Sequence, residues 1–195
     1  MTGDAEGLRT ATPEDLGAIM ALERASFPTD AWSESAMRSE LASPHGRYIV
    51  IEQGGAIAGY AGLRAVAGSH DGDIQTIAVA AASRGHGWGR ALLTALIEEA
   101  ERRGVRDLFL EVRADNPVAQ ALYGSEGFVE IGRRPHYYQP DDVDAIVMQA
   151  DLRGRAAAVF TTPQESAVPG ENGPDSADTA QITGAVPADS ATGAA

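Results

Sequence analysis

Cysteine and lysine are both missing from this chain of 195 residues. Without a thiol there is no disulfide framework, no thiolate metal ligand and no covalent cysteine intermediate. Without lysine the Gly-Lys-Ser/Thr ending of a Walker A loop is impossible, and all 15 basic residues are arginine. The four histidines have no metal-ligand spacing, so no metal is expected. No apolar run reaches the ~20 residues of a membrane-spanning helix. Met1 to Glu6 also lacks the basic start and apolar core of a secretion signal. These absences predict a cytoplasmic protein with no membrane association.

Positive charge is scarce as well. Against the 15 arginines stand 28 acidic residues, a net charge of −13. Glu165, Glu171, Asp175, Asp178 and Asp189 against Arg155 account for −4, which leaves −9 on the preceding residues. Such a balance opposes direct nucleic-acid binding, which rests on neutralising phosphates, and favours a basic partner. Hydrophobic residues make up 44% of the chain, enough for one sizeable core. Beyond Arg153 the composition turns to Ala, Gly, Pro, Ser and Thr without periodic apolar positions. This predicts a domain over residues 1–153 and a disordered acidic tail over 154–195.

Within the domain, Leu8 to Thr10 reads as a first strand. Thr12 and Pro13 suit the N-cap and first position of a helix carrying Leu16, Ile19 and Met20. Ser33 caps a second helix with Met37 and Leu41. Tyr48 to Glu52 and Ala56 to Arg64 read as a hairpin about Gly54-Gly55. Ile74 to Val79 is a strand, and residues 87–103 a helix that turns Leu92, Leu93, Leu96 and Ile97 to a sheet and stops at Gly104. Arg106 to Val112 is strand, Pro117 to Ser125 helix, and Phe128 to Arg133 and Ala145 to Ala150 the last strands. The order is that of an α+β fold with a mixed sheet.

The segment Ile74 to Gly104 carries the most chemistry. A strand runs into Arg84-Gly85-His86-Gly87-Trp88-Gly89-Arg90 and then a helix. Glycines let backbone N–H groups turn inward, and first-turn amides have no helical partner, so the loop can cradle a pyrophosphate. The dinucleotide fingerprint does not fit, because the position for its third glycine is Arg90. Arg84-x-x-Gly87-x-Gly89 instead resembles the pyrophosphate loop of the GNAT superfamily of acyl-CoA-dependent N-acyltransferases. Leu108 to Arg113, Asn116 to Tyr123 and Glu126-Gly127-Phe128 follow in the order of that superfamily's second half. Ala25-Ser26-Phe27-Pro28, Trp32-Ser33, Leu110 to Arg113, Tyr137-Tyr138 and Asp144-Ala145 further resemble its RimI-type branch, the ribosomal-protein-alanine N-acetyltransferases. The resemblance spans about residues 8 to 152. Pro135-His136 departs from it as a small insertion, and the long C-terminal extension has no counterpart in compact members.

The resemblance implies a GNAT fold: a mixed, mostly antiparallel seven-stranded sheet, about four helices, and central strands that splay apart. It implies acetyl-CoA as co-substrate, held by Ile77, Ala78 and Val79, by Arg84 to Arg90 (Arg84, Gly85, His86, Gly87, Trp88, Gly89, Arg90), and by Asn116 and Tyr123. Glu111, which interrupts an apolar strand, would be the base that deprotonates the attacking amine. Tyr123 would be the acid that protonates the leaving thiolate. Phe27, Trp32, Ser33, Tyr137 and Tyr138 would line the acceptor groove, the two tyrosines on the loop between the last two strands. Plainer roles stay open: Glu111 paired with Arg113 or Arg64, Tyr123 packed by Leu122 and Phe128, Asn116 as a helix cap, and Phe27 and Trp32 as core anchors. The implied reaction is acetylation of a protein N-terminal α-amine, that of the alanine of a small-subunit ribosomal protein, by a monomer. Alternatives are lysine or small-amine acetylation, or a silent acyl-CoA-binding module.

Overall fold

In the computed structural model, residues 7–155 are described. The expected tail therefore lies outside the described residues except for Gly154 and Arg155. The organising element is the helix Trp88–Arg102, whose apolar positions recur every three or four residues. Its Leu92, Leu93, Leu96 and Ile97 are buried against one face of a seven-stranded sheet. The strands are β1 (Leu8–Thr10), β2 (Gly46–Gln53), β3 (Ala56–Arg64), β4 (Asp71–Val79), β5 (Asp107–Arg113), β6 (Val129–Tyr138) and β7 (Val143–Asp151). Helices α1 (Leu16–Ser26), α2 (Glu34–Ala42), α3 (Trp88–Arg102) and α4 (Pro117–Ser125) complete the domain.

The sheet order is β1-β2-β3-β4-β5-β7-β6. Every neighbouring pair is antiparallel except β4 and β5, which are parallel. This is the mixed sheet that the sequence predicts. Two cores result. Leu92, Ile77, Val79, Leu108, Leu110 and Tyr123 belong to one. On the other face α1 and α2 bury Ile19, Met20, Phe27, Trp32 and Met37 against Tyr48, Tyr60 and Ala78. Among the described residues no helix is long and apolar enough to cross a membrane.

Two expectations need correction. The sixth strand does not end at Arg133 but runs to Tyr138, so Tyr137 and Tyr138 are strand residues and not loop residues. Proline normally ends a strand, but β6 is the sheet edge, where a missing N–H costs no ladder bond. Arg134 pairs with Ala145 and Tyr138 with Val143, so β6 carries two more residues than β7 across that interval. Pro135-His136 is thus absorbed as a bulge, with His136 at φ 56°. The second correction concerns the first helix, which is preceded by a 3-10 turn at Pro13–Asp15. The Thr12 N–H donates to Asp15 Oδ2 at 2.7 Å and fixes that turn.

Candidate active site

The site begins where β4 and β5 part. Their register covers only Asp71 to Asp73 against Asp107 to Phe109, after which β4 continues to Val79 without β5 as a partner. On its other side β4 remains bonded to β3. The Ala80 N–H donates to Ala58 O at 2.8 Å, and antiparallel bonding alternates, so Ala78 and Thr76 also point their N–H groups at β3. The N–H groups of Ile77 and Val79 therefore face the gap. Their side chains are buried in the α3 core, which fixes the strand that carries them.

At the end of β4 the chain forms the glycine loop. Gly85 and Gly87 have φ of 82° and 74°, the left-handed region that glycine adopts without cost. A Cβ at either would meet open space, so backbone conformation, not packing, demands glycine there. Gly87 is the N-cap of α3 and no side chain caps that end. The first-turn amides of Trp88, Gly89 and Arg90 are consequently left as outward donors. Arg84 Nε donates to Val79 O at 3.3 Å, placing a guanidinium at the mouth of the gap. The His86 ring turns back on the loop carbonyl of Arg84, with Nδ1 at 2.8 Å. The Arg90 side chain leaves the loop for Glu126 and for Ser125 Oγ. Unspent amides, open glycine positions and a nearby arginine fit a pyrophosphate, and the gap amides fit the amide-bearing arm of coenzyme A.

Glu111 lies across the gap on β5. Its side chain is only 12% exposed, and Oε1 pairs with Arg134 Nη1 at 3.0 Å. Oε2 is buried and has no hydrogen-bond partner. Burial raises the carboxyl pKa above its ordinary value, while Arg134 and the Tyr137 hydroxyl oppose that rise. The carboxylate is thus oriented through one oxygen and left with the other. Neither Arg113 nor Arg64 is its partner. Arg113 pairs instead with Asp115 at 3.0 Å and Asp141 at 3.1 Å, and its guanidinium lies 5.1 Å from the Tyr138 ring centre.

The tyrosines close this region. Tyr137 and Tyr138 stack edge to face, with centroids 5.1 Å apart. Arg134 lies 5.4 Å from the Tyr137 ring centre. Tyr138 is buried with its hydroxyl unbonded, and burial, then Glu111, hold its pKa well above the phenol range. Tyr123 on α4 is fully buried, with Phe128 at 5.9 Å between centroids. Asn116 caps α4 by accepting from the Ala119 N–H at 3.1 Å.

The remaining groove residues stand apart. Phe27 and Trp32 are buried in the core of α1 and α2, and the Ser33 hydroxyl caps α2 by accepting from the Ala36 N–H at 3.2 Å. What ties α1 to the Trp32 segment and to β3 is Glu23, which the sequence pattern does not single out. It is fully buried, accepts from the Trp32 N–H at 2.9 Å and from the Tyr60 hydroxyl, and burial raises its pKa. Thr29 Oγ1 donates to Asp141 Oδ2 at 3.1 Å, joining the segment between α1 and α2 to the turn after β6. Arg134 was also missed, since only the fold brings it from two strands away. Among the described residues no group of His, Asp and Glu is arranged to hold a metal.

Residues 16–128 match the acetyltransferase (GNAT) family. The chain is 42% identical over 124 residues to the N-alpha-acetyltransferase RimI of Mycobacterium tuberculosis, covering 63% of this chain and 77% of that one. It is 40% identical over 140 residues to the [ribosomal protein bS18]-alanine N-acetyltransferase of Escherichia coli, covering 69% and 89%. The crystal structure of the Escherichia coli ribosomal-protein-S18-alanine N-acetyltransferase superposes with a TM-score of 0.68 at 35% identity, over 74% of this chain and 92% of that one.

Proposed function

This chain belongs to the GNAT family of acetyltransferases, and on that premise we propose that it transfers the acetyl group of acetyl-CoA directly to the N-terminal α-amine of a protein, the alanine of a small-subunit ribosomal protein. The observation that carries this reading is Glu111, a carboxylate oriented by Arg134 with Oε2 unspent, facing the gap between β4 and β5. The relatives named for acetylation of ribosomal-protein alanine support the acceptor. The negative charge of the domain supports a basic one.

Acetyl-CoA supplies an activated thioester. Arg84 and the glycine loop of Gly85 to Arg90, with the first-turn amides of α3, would hold its pyrophosphate, and the N–H groups of Ile77 and Val79 its pantetheine arm. An α-amine with a pKa of about 7.7–8.0 is largely protonated at neutral pH. Glu111 Oε2 takes its proton, directly or through one water, and the raised pKa brings the carboxylate closer to that task. A gap-facing N–H donates to the acetyl oxygen as charge builds there. The Tyr123 hydroxyl gives a proton to the departing thiolate. Tyr137, Tyr138, Ser33 and, from behind, Phe27 and Trp32 form the acceptor groove. The absence of cysteine means that no thiol of the chain can carry the acetyl group in between.

The test compares a peptide beginning Ala-Arg with the same peptide blocked at its N-terminus and carrying an internal lysine, using wild type and Glu111→Gln. Transfer to the free N-terminus alone is expected, with kcat reduced about 10²–10⁴-fold in the variant and the KM for acetyl-CoA unchanged. Transfer mainly to lysine would overturn the acceptor, and an unimpaired variant would overturn the base. Because the enzyme has no lysine, any acetyl-lysine found belongs to the substrate.

A further inference from the structure

Two buried acceptor atoms without partners line the same cavity. One is Glu111 Oε2. The other is Gln75 Oε1, on a residue of β4 that is only 8% exposed. The cavity, about 370 Å³, is walled by these two and by Arg64, Asp73, Phe109 and Arg134. Buried polar atoms are almost always bonded in native proteins, and an orphan is costly unless something else satisfies it. Arg134 is already engaged with Glu111 Oε1, and Arg64 faces Glu40. The buried atoms that the cavity leaves without a partner are both acceptors, and an occupant that satisfies them brings N–H donors.

Resting on the proposed N-terminal acceptor, we propose that Gln75 is a specificity-determining residue: its side-chain carbonyl accepts a hydrogen bond from the first peptide N–H of the acceptor while the α-amine lies at Glu111 Oε2. A protein N-terminus carries two donors of the right kind in a fixed relation. The α-nitrogen is followed by Cα, the carbonyl carbon and then the peptide N–H. A lysine side-chain amine is followed by methylenes, offers nothing to Gln75 and leaves its carbonyl buried and unbonded. Gln75 thereby discriminates N-termini from lysines by the mechanism through which sites built for a hydrogen bond reject ligands that lack it. It also disfavours acceptors with proline in second position, whose nitrogen has no hydrogen.

The experiment measures kcat/KM for an Ala-Arg peptide and for its analogue N-methylated at the second residue, with wild type and Gln75→Met, a side chain of similar length without the acceptor. Wild type should lose about tenfold on the methylated peptide. Gln75→Met should lose about tenfold on the ordinary peptide and nothing further on the methylated one, with the KM for acetyl-CoA unchanged. Losses that multiply, or a wild type indifferent to methylation, would overturn the role of Gln75 alone. No transfer to Ala-Arg by wild type would overturn the N-terminal acceptor and this inference with it. The wild-type comparison needs no variant, so a poorly folded Gln75→Met still leaves a deciding result.

Discussion

Replacing Arg134 by leucine should move the acid limb of the kcat/KM against pH profile upward. Burial raises the pKa of Glu111 and Arg134 opposes it, so removing the guanidinium leaves the desolvation less opposed. For charges 3.0 Å apart, Coulomb's law gives roughly 1.4 kcal/mol in water and roughly 5.5 at an effective dielectric of about 20. Arg134 is 56% exposed, which puts the pair at the screened end, where such bridges are worth about 0–1 kcal/mol. At 1.36 kcal/mol per pKa unit that range keeps the upward displacement of the limb below about one pH unit. The free peptide amine titrates at about 7.7–8.0 in both enzymes, and Glu111→Gln should lose only the carboxylate limb. The assay is kcat/KM on one peptide from about pH 5 to 9, at low and high salt. Salt should narrow the difference between wild type and Arg134→Leu. A limb that stays put, or moves down, would refute Glu111 as the group whose ionisation governs the rate.

Gly87→Val forces a β-branched residue to φ 74° at the start of α3. It should raise the KM for acetyl-CoA, measured by initial rates, and lower stability by about 1–2 kcal/mol. Tyr123→Phe keeps the buried ring and removes the proposed acid; kcat, from initial rates at saturating substrates, should fall about 10²-fold or more. Glu23→Ala strips the partners from the Trp32 N–H and the Tyr60 hydroxyl, and denaturant unfolding should show a loss of about 2–4 kcal/mol. Because burial raises the Glu23 pKa, folding favours its protonated form. The stability it contributes is full below the unfolded value of about 4.3 and declines as pH rises through the folded value, so the gap between wild type and Glu23→Ala should narrow over that window.

Elements bounded by strong local chemistry are legible in the sequence to the residue. Ala56–Arg64 starts after Gly54-Gly55, and Pro117–Ser125 starts after an Asn cap with proline in first position. The end of β6 is not legible, because Pro135 reads as a breaker unless the strand is known to be an edge. The Glu111–Arg134 pair is not legible either, since it depends on the registers of β5 with β7 and β7 with β6. Gln75 could have been found. It interrupts an apolar strand as Glu111 does, and what was lacking was knowledge of which strand face opens on a cavity.

The gap-facing amides of Ile77 and Val79 have a consequence for how this site would look to genetics. Their side chains point into the α3 core, so alanine at either position would report lost packing and say nothing about the arm that the two amides are proposed to hold. An alanine scan would pass over that part of the site. The groups there can be removed only by altering the main chain, as with an amide-to-ester replacement at a single residue. Sequence variation among functional homologues at these two positions should accordingly obey core volume alone. A comparison of many sequences would show ordinary hydrophobic drift at 77 and 79, with no invariant letter to mark where the backbone is proposed to meet the co-substrate.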